Sequence, residues 1–295
     1  MEEKLMNYWV IVGQGGGFEE VKSIKSDSSA QSGEIKKTTV RMDDIMFTTG
    51  GDGNTKIFIG GEEVTPPDVF MLWGHYNEVF EGISRRLISL GARSINDIDA
   101  KRIVCSKLST ALVLEQAGIP QAKSLTVTSH TSAKTVVECL GLPTVLKPSN
   151  GAQGEGVVLL HSEQEIAGYL SKLPEGDANA VLAQEFISTA KGKDIRVVVA
   201  DYKVVRVIQR VAGNPDEFRS NVHLGGHCEE YELEEDAVKM CEKTAKVCGL
   251  RLCGIDLLQA ENGYVVGEVN CTPGMDNEFM KSDRFRQVLH DLVVN

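Results

Sequence analysis

The chain has 295 residues, 42% hydrophobic and 25% charged, which suits a soluble globular protein of about two or three domains. A formal net charge of -11 excludes a broad nucleic-acid or anionic-membrane surface, and no apolar run reaches the roughly 20 residues that span a bilayer. Seven cysteines without a CxxC pair argue against a zinc site or disulfide framework, and the start lacks a signal-peptide layout, so a cytoplasmic chain is expected.

Tyr8 to Val12 is a short buried-type strand followed by Gly13-Gln14-Gly15-Gly16-Gly17. These glycines miss the GxGxxG register, and Phe18 to Lys37 is too rich in Ser, Lys and Asp for a firm helix. A loop or turn therefore outweighs a phosphate role there. Thr38 to Ile45 and Lys56 to Glu63 read as further strands, with Gly51-Asp52-Gly53-Asn54 between them and a turn at Gly60-Gly61. Val69 to Trp73 is another buried-type strand, and the amphipathic run Gly82 to Leu90 is a helix ending at Gly91. Residues 1–100 thus read as a small α/β domain.

A helix is expected from Asp97 through Gln116, stopped by Gly118 and Pro120, with Lys107 inside it. Leu125 to Thr128 reads as a strand and Ser132 to Leu140 as a helix. Next, Pro143 to Leu160 holds two strands around a glycine-rich loop, with Lys147 at the end of the first. Glycines let backbone N–H groups approach phosphate oxygens, and lysine adds a compact positive charge. The Walker A order is absent, and a plain glycine-rich hairpin is the competing reading. Ala180 to Ile187 is a strand, and the charged turn from Lys191 feeds a strand through Val199 that pairs with Val204 to Ile208 across Asp201-Tyr202. Phe218 to Gly226 is a polar loop. Arg196, Arg210 and Arg219 each suit a surface ion pair singly, but together beside a phosphate loop they suit an anionic substrate or transition state. Glu234 to Cys248 and Phe285 to Val293 are helices.

Gly254 to Asn270 reads as two apolar strands joined at Glu261-Asn262-Gly263, interrupted by Asp256, Glu268 and Asn270. Glu268 and Asn270 are two apart and share a face. An Asn-Gly loop would set Asp256 opposite Val269, whereas a three-residue loop with left-handed Gly263 would set it opposite Glu268. In the second register two carboxylates and an amide form an oxygen cluster of the kind Mg²⁺ prefers; a solvated hairpin is the alternative.

Taken in order, Lys107, the Val-Leu-Lys147-Pro strand with its Gly-Ala-Gln-Gly-Glu-Gly loop, Gln184-Glu185-Phe186-Ile187, Lys193-Asp194-Ile195-Arg196, Phe218-Arg219-Ser220-Asn221, Gly254-Ile255-Asp256 and Gly267-Glu268-Val269-Asn270 closely resemble the ATP-grasp fold. Within it, the chain looks most like the RimK-type carboxylate–amine ligases. The resemblance runs from about Lys101 to the end. It implies an α/β architecture of α+β subdomains: a pre-ATP-grasp domain at 1–100 and an ATP-grasp domain at 101–295, with a lid at about 120–187 and a metal-binding core at about 188–295.

By that resemblance ATP binds Lys107, Lys147, the loop residues Gly151, Gln153, Gly154 and Gly156, the hinge Glu185, Phe186 and Ile187, and Asp194, Arg219, Ser220 and Asn221. Asp256, Glu268 and Asn270 would hold two Mg²⁺ ions, with Mn²⁺ as the substitute. Arg196 and Arg210 would stabilise the transferring phosphoryl group. The expected chemistry converts a carboxylate to an acyl phosphate that an amine then attacks. Carboxylate and amine substrates, a peptide or protein acceptor and a homodimer or homotetramer are the implied partners, without nucleic acid or membrane.

Three departures stand out: Leu72-Trp73-Gly74-His75 where relatives often carry an arginine, the polar stretch Gly15 to Lys37, and Val211 after Arg210. They leave the added group open; His75, Tyr76, His223 and Glu278 are candidates for that pocket, against an ordinary surface role that outweighs it for each. The alternatives are a ligase closing ester or amide rings in a precursor peptide, and a nucleotide-binding regulator without turnover.

Overall fold

The computed structural model describes residues 5–13, 35–50, 55–149, 155–175, 181–214, 217–220, 225–275 and 277–295. The readings over 14–34 and 51–54, the loop residues Gly151, Gln153 and Gly154, and Asn221 and His223 lie outside the described residues. The chain divides into two compact units.

The first unit comprises residues 1–102, 249–252 and 271–295. Its sheet is parallel, with strands β1 (Met6–Val12), β2 (Ile35–Arg41), β6 (Val69–Trp73) and β7 (Arg93–Ser94) in the order β2-β1-β6-β7. A small antiparallel sheet of β3 (Ile45–Phe47), β4 (Ile57–Ile59) and β5 (Glu62–Val64) lies between β2 and β6 in the chain. The expected strand from Thr38 to Ile45 is broken, because Met42–Asp44 form a short 3-10 turn that separates β2 from β3. Helix α1 (Glu78–Ser89) begins earlier than expected: the Asn77 side chain accepts from the Phe80 N–H and caps it. Phe80, Ile83 and Leu87 on one face of α1 pack with Trp9, Ile11, Phe70 and Leu72.

Residues 271–295, assigned by sequence to the second domain, group with this unit. They carry α7 (Asn277–Lys281) and α8 (Asp283–Val294), and the Arg93 guanidinium donates to the carbonyls of Leu292 and Val293 at the end of α8. The single helix expected over Asp97 to Gln116 is two, α2 (Ile98–Val104) and α3 (Lys107–Gln116). Ser106 interrupts them, because its hydroxyl accepts from the Ser109 N–H and starts a new helix. Lys107 is therefore a first-turn residue rather than an interior one.

The second unit, 103–248 with 253–270, holds two sheets. The smaller is antiparallel, in the order β10 (Val158–Leu160), β9 (Thr144–Pro148), β11 (Val181–Glu185), β8 (Ser124–Val127), backed by α4 (Ala133–Leu140) and α5 (Glu163–Leu170). Val136, Leu146, Ile166 and Ala183 form its core. The larger runs β14 (His227–Glu230), β13 (Lys203–Val211), β12 (Lys193–Ala200), β15 (Leu252–Ala260), β16 (Gly263–Asn270), with α6 (Glu235–Val247) against β12 and β13. Asp201 and Tyr202 both adopt positive φ, 46° and 63°, which makes the tight β12–β13 connection.

The β15–β16 register differs from both expected forms. Ala260 pairs with Gly263, so the loop is the two residues Glu261-Asn262, and Leu257 pairs with Val266. A bulge at Gly267 then shifts the ladder by one, and Asp256 pairs with Glu268. The oxygen cluster thus forms by a bulge in the strand, not by a longer turn.

Gly13 follows β1, and its N–H donates to the Trp73 carbonyl at 2.9 Å. A Cβ there would lie 2.5 Å from the ring of fully buried Phe80. Gly13→Ala is expected to destabilise the fold by about 1–3 kcal/mol through overpacking, read as a lower urea midpoint.

Candidate active site

The candidate site is a solvent-open cleft in the second unit. Strand alternation builds its polar floor. Asp194 and Arg196 are two apart on β12 and share a face, while Ile195 and Val197 point to the other and are buried. Arg210 pairs directly with Asp194 across the β12–β13 ladder. Glu268 and Asn270 sit on the face of β16 that Asp256 shares.

These residues form a buried ionic network. Arg196 grips Asp256 with two bonds, Nε to Oδ1 at 2.5 Å and Nη2 to Oδ2 at 3.1 Å. Arg210 grips Asp194 at 2.6 and 2.5 Å and reaches Asp256 Oδ2 at 3.0 Å. The Ser220 hydroxyl donates to Asp194, and the Asn270 amide donates to Asp256 at 3.4 Å. Two carboxylates and two guanidiniums balance in charge, which makes their burial tolerable. Burial opposes charge on Asp256, but Arg196 and Arg210 outweigh it and hold its carboxyl below the ordinary value. Burial, and then the Asp256 charge, push Asp194 up, with Arg210 and Ser220 pulling it back.

Two lysines face this network. Lys107 Nζ lies 3.3 Å from Glu268 Oε1, and the Lys107 backbone N–H donates to the Ser149 carbonyl. Lys147, at the end of β9, reaches the Gly267 carbonyl at 3.4 Å, so the bulge residue supplies its acceptor. Burial pulls the Lys147 amine down to about 8, and Lys107 adds to the effect against the pull of Glu268 and Asp256.

At the end of β11, Glu185, Phe186 and Ile187 line the cleft. The Glu185 carboxylate accepts from the Lys123 N–H at 2.7 Å, which fixes β11 to the start of β8. Phe186 meets Phe218 edge to face, with centroids 6.4 Å apart. Arg219 is paired with Glu217 through two bonds of 2.9 and 2.8 Å and holds that carboxyl at about 2. Glu217 was not among the expected residues; a carboxylate two positions before Arg219 was the signal available in the sequence.

The structure brings Lys107, Lys147, Glu185, Phe186, Ile187, Asp194, Arg210, Arg219, Ser220, Asp256 and Glu268 to one cleft. Arg196 and Asn270 are not among the described residues that line it, and both instead hold Asp256. Gly156, with φ of 70°, packs on Pro148 beside the cleft, where a Cβ would meet the proline ring at 2.9 Å. Asp256, Glu268 and the Asn270 carboxamide fit a hard divalent ion as oxygen donors. Among the described residues no group of three or more His, Cys, Asp or Glu side chains gathers to hold a metal.

Arg196→Met leaves Asp256 with a single guanidinium and is expected to lower unfolding stability by about 3–5 kcal/mol in urea titration. Adding Asp256→Leu should recover part of that loss, because the uncompensated charge is then gone.

A family model described as a RimK-like ATP-grasp domain matches residues 105–286. A probable alpha-L-glutamate ligase of Pasteurella multocida (strain Pm70) is 34% identical over 213 residues, covering 68% of this chain and 67% of the relative. A protein of the same name from Vibrio vulnificus (strain YJ016) is 32% identical over 251 residues, 83% of each. Among solved structures, the ATP-grasp ligase PsnB complexed with minimal precursor superposes with a TM-score of 0.69 at 21% identity, covering 98% of this chain and 99% of that one. D-alanyl-alanine synthetase A from Vibrio cholerae gives 0.72 at 18% identity, covering 99% and 98%. The last two likenesses are of fold.

Proposed function

The chain belongs to the RimK-like ATP-grasp family and is an ATP-dependent carboxylate–amine ligase, and we propose that it adds an amino acid such as glutamate to a carboxylate of a peptide, protein or small-molecule acceptor. The observation that carries this reading is one cleft lined by Lys107, Lys147 and Arg210 together with Asp256 and Glu268. It pairs an anion-binding wall with oxygen donors for a metal.

A carboxylate resists amines at neutral pH because oxide would have to leave; an acyl phosphate leaves phosphate instead. In this reading Lys107 and Lys147 bind phosphate oxygens of ATP and hold the γ-phosphoryl group in line with the acceptor carboxylate. Arg210, anchored on Asp194, takes up charge that develops on the transferring group. Arg196 acts through Asp256, fixing its carboxylate for the metal. Glu185, Phe186 and Ile187 seat the nucleotide base and ribose. Asp256, Glu268 and Asn270 would hold two Mg²⁺ ions, or Mn²⁺ in their place, and a bound ion would supply Lewis-acid polarisation of phosphoryl oxygens. Attack of the amine on the acyl carbon then releases phosphate and forms the amide. The cytoplasm and a homo-oligomer complete the proposal; among the described residues no helix is long and apolar enough to cross a membrane.

Phosphate release from Mg-ATP, run across a panel of carboxylates, amino acids and peptides with mass spectrometry of products, tests the reading. An amide mass that appears with wild type, and at least about 100-fold more slowly with Glu268→Ala, is the expected result. A product that has lost water within one peptide would favour ring closure. ATP binding without turnover on any pair would leave a nucleotide-binding regulator.

Lys147 supplies a pH test. Burial pulls its amine down to about 8, and bound phosphates favour the charged form, so above that pH binding is expected to draw a proton from solvent. Nucleotide affinity is expected to be flat below about 8 and to weaken toward tenfold per pH unit above it. Calorimetry in buffers of different ionisation enthalpy should show the proton uptake. In Lys147→Arg, whose guanidinium stays charged, the pH dependence should vanish.

A further inference from the structure

One buried amine in the first unit has no part in the chemistry above. Lys101, on α2, is 1% exposed. Its Nζ lies 3.0 Å from Thr272 Oγ1, 3.5 Å from the Leu72 carbonyl and 3.5 Å from Cys271 Sγ, and stands 5.8 Å from the centre of the Phe80 ring. Among the described residues these contacts include no carboxylate. Burying an amine among a hydroxyl, a carbonyl, a thiol and a ring contributes little stability that an apolar side chain of similar volume would not. What the arrangement does provide is a nitrogen held in direct contact with a nucleophilic sulfur, close enough that a small approach of the two would let one oxygen atom bridge them. Cys271 is itself buried, at 8% exposure, so neither atom is free to swing away.

We propose that Lys101 and Cys271 are a modification site that oxidation closes into a covalent Nζ–O–Sγ bridge. The oxidant is dioxygen. Written for the amine and the thiol, an N–O and an S–O bond form, while the O–O bond, one N–H and the S–H break. One oxygen atom stays as the bridge and the other leaves as water with the two hydrogens. Nitrogen and sulfur each give up two electrons, and dioxygen accepts all four. Excess dithiol returns the four electrons and restores the amine and the thiol, releasing a second water. Because the Thr272 hydroxyl also bonds Gly74, exchanging N–H and C=O contacts with it at 3.4 and 3.2 Å, the bridge ties α2 to the segment that follows β16.

Peptide mapping of the full-length wild-type protein tests this without reference to the ligase reading. One sample is kept under dithiothreitol and the other equilibrated with air, then both are unfolded, alkylated and cut with trypsin. The air-equilibrated sample is expected to yield a linked pair holding Lys101 and Cys271, uncut after Lys101, with the summed mass plus one oxygen less two hydrogens. Dithiothreitol should abolish it, and Cys271→Ala should lack it. Three results would overturn the proposal: an alkylated Cys271 with normal cutting at Lys101, an oxygenated but unlinked Cys271, or a linked pair lacking the added oxygen. The wild-type masses decide the matter even if the variant does not fold.

Discussion

Arg210 is the ion on which the polar face of the larger sheet depends. It binds Asp194 with two bonds and Asp256 with a third, and Arg196 completes the balance from the adjoining strand. A carboxylate buried alone would protonate or unfold the sheet, since the cost of desolvating a lone ion exceeds what one hydrogen bond returns. With two cations for two anions, the floor of the cleft stays charged yet neutral in sum. Glu268, Lys107 and Lys147 line the same cleft beside Asp194, Arg210 and Asp256.

The same constraint explains the bulge at Gly267. A regular ladder from the Glu261-Asn262 turn would have carried Glu268 to the face opposite Asp256. One extra residue restores it to that face and turns the Gly267 carbonyl toward Lys147. A Cβ at Gly267 would stand 3.1 Å from Leu258, so glycine suits both the backbone and the packing. The register of Glu268 against Asp256 and the carbonyl that Lys147 reaches thus both follow from a single irregularity in β16.

Much of this was open to reading in the sequence. Polar residues at a spacing of two on an apolar strand marked Glu268 with Asn270, because alternation is local. The position of Asp256 was not, since a bulge depends on which ladder the rest of the sheet allows. Nor was the depth of Arg196: an arginine on a strand looks the same whether it faces a ligand or lies beneath a carboxylate. The helix break at Ser106 escaped because the apolar pattern continues across it and only the cap reveals the new start. Residues 271–295 join the first unit through contacts some two hundred positions away, which no window of sequence contains.

Acyl phosphate formation, as proposed above, carries a carboxylate oxygen into the released phosphate. The most direct measurement uses a carboxylate substrate labelled with heavy oxygen, followed through turnover with Mg-ATP and the amine. One labelled oxygen in the released phosphate for each amide formed, with ADP as the other product, is the expected result. Amide formation with unlabelled phosphate, or with AMP and pyrophosphate, would contradict it.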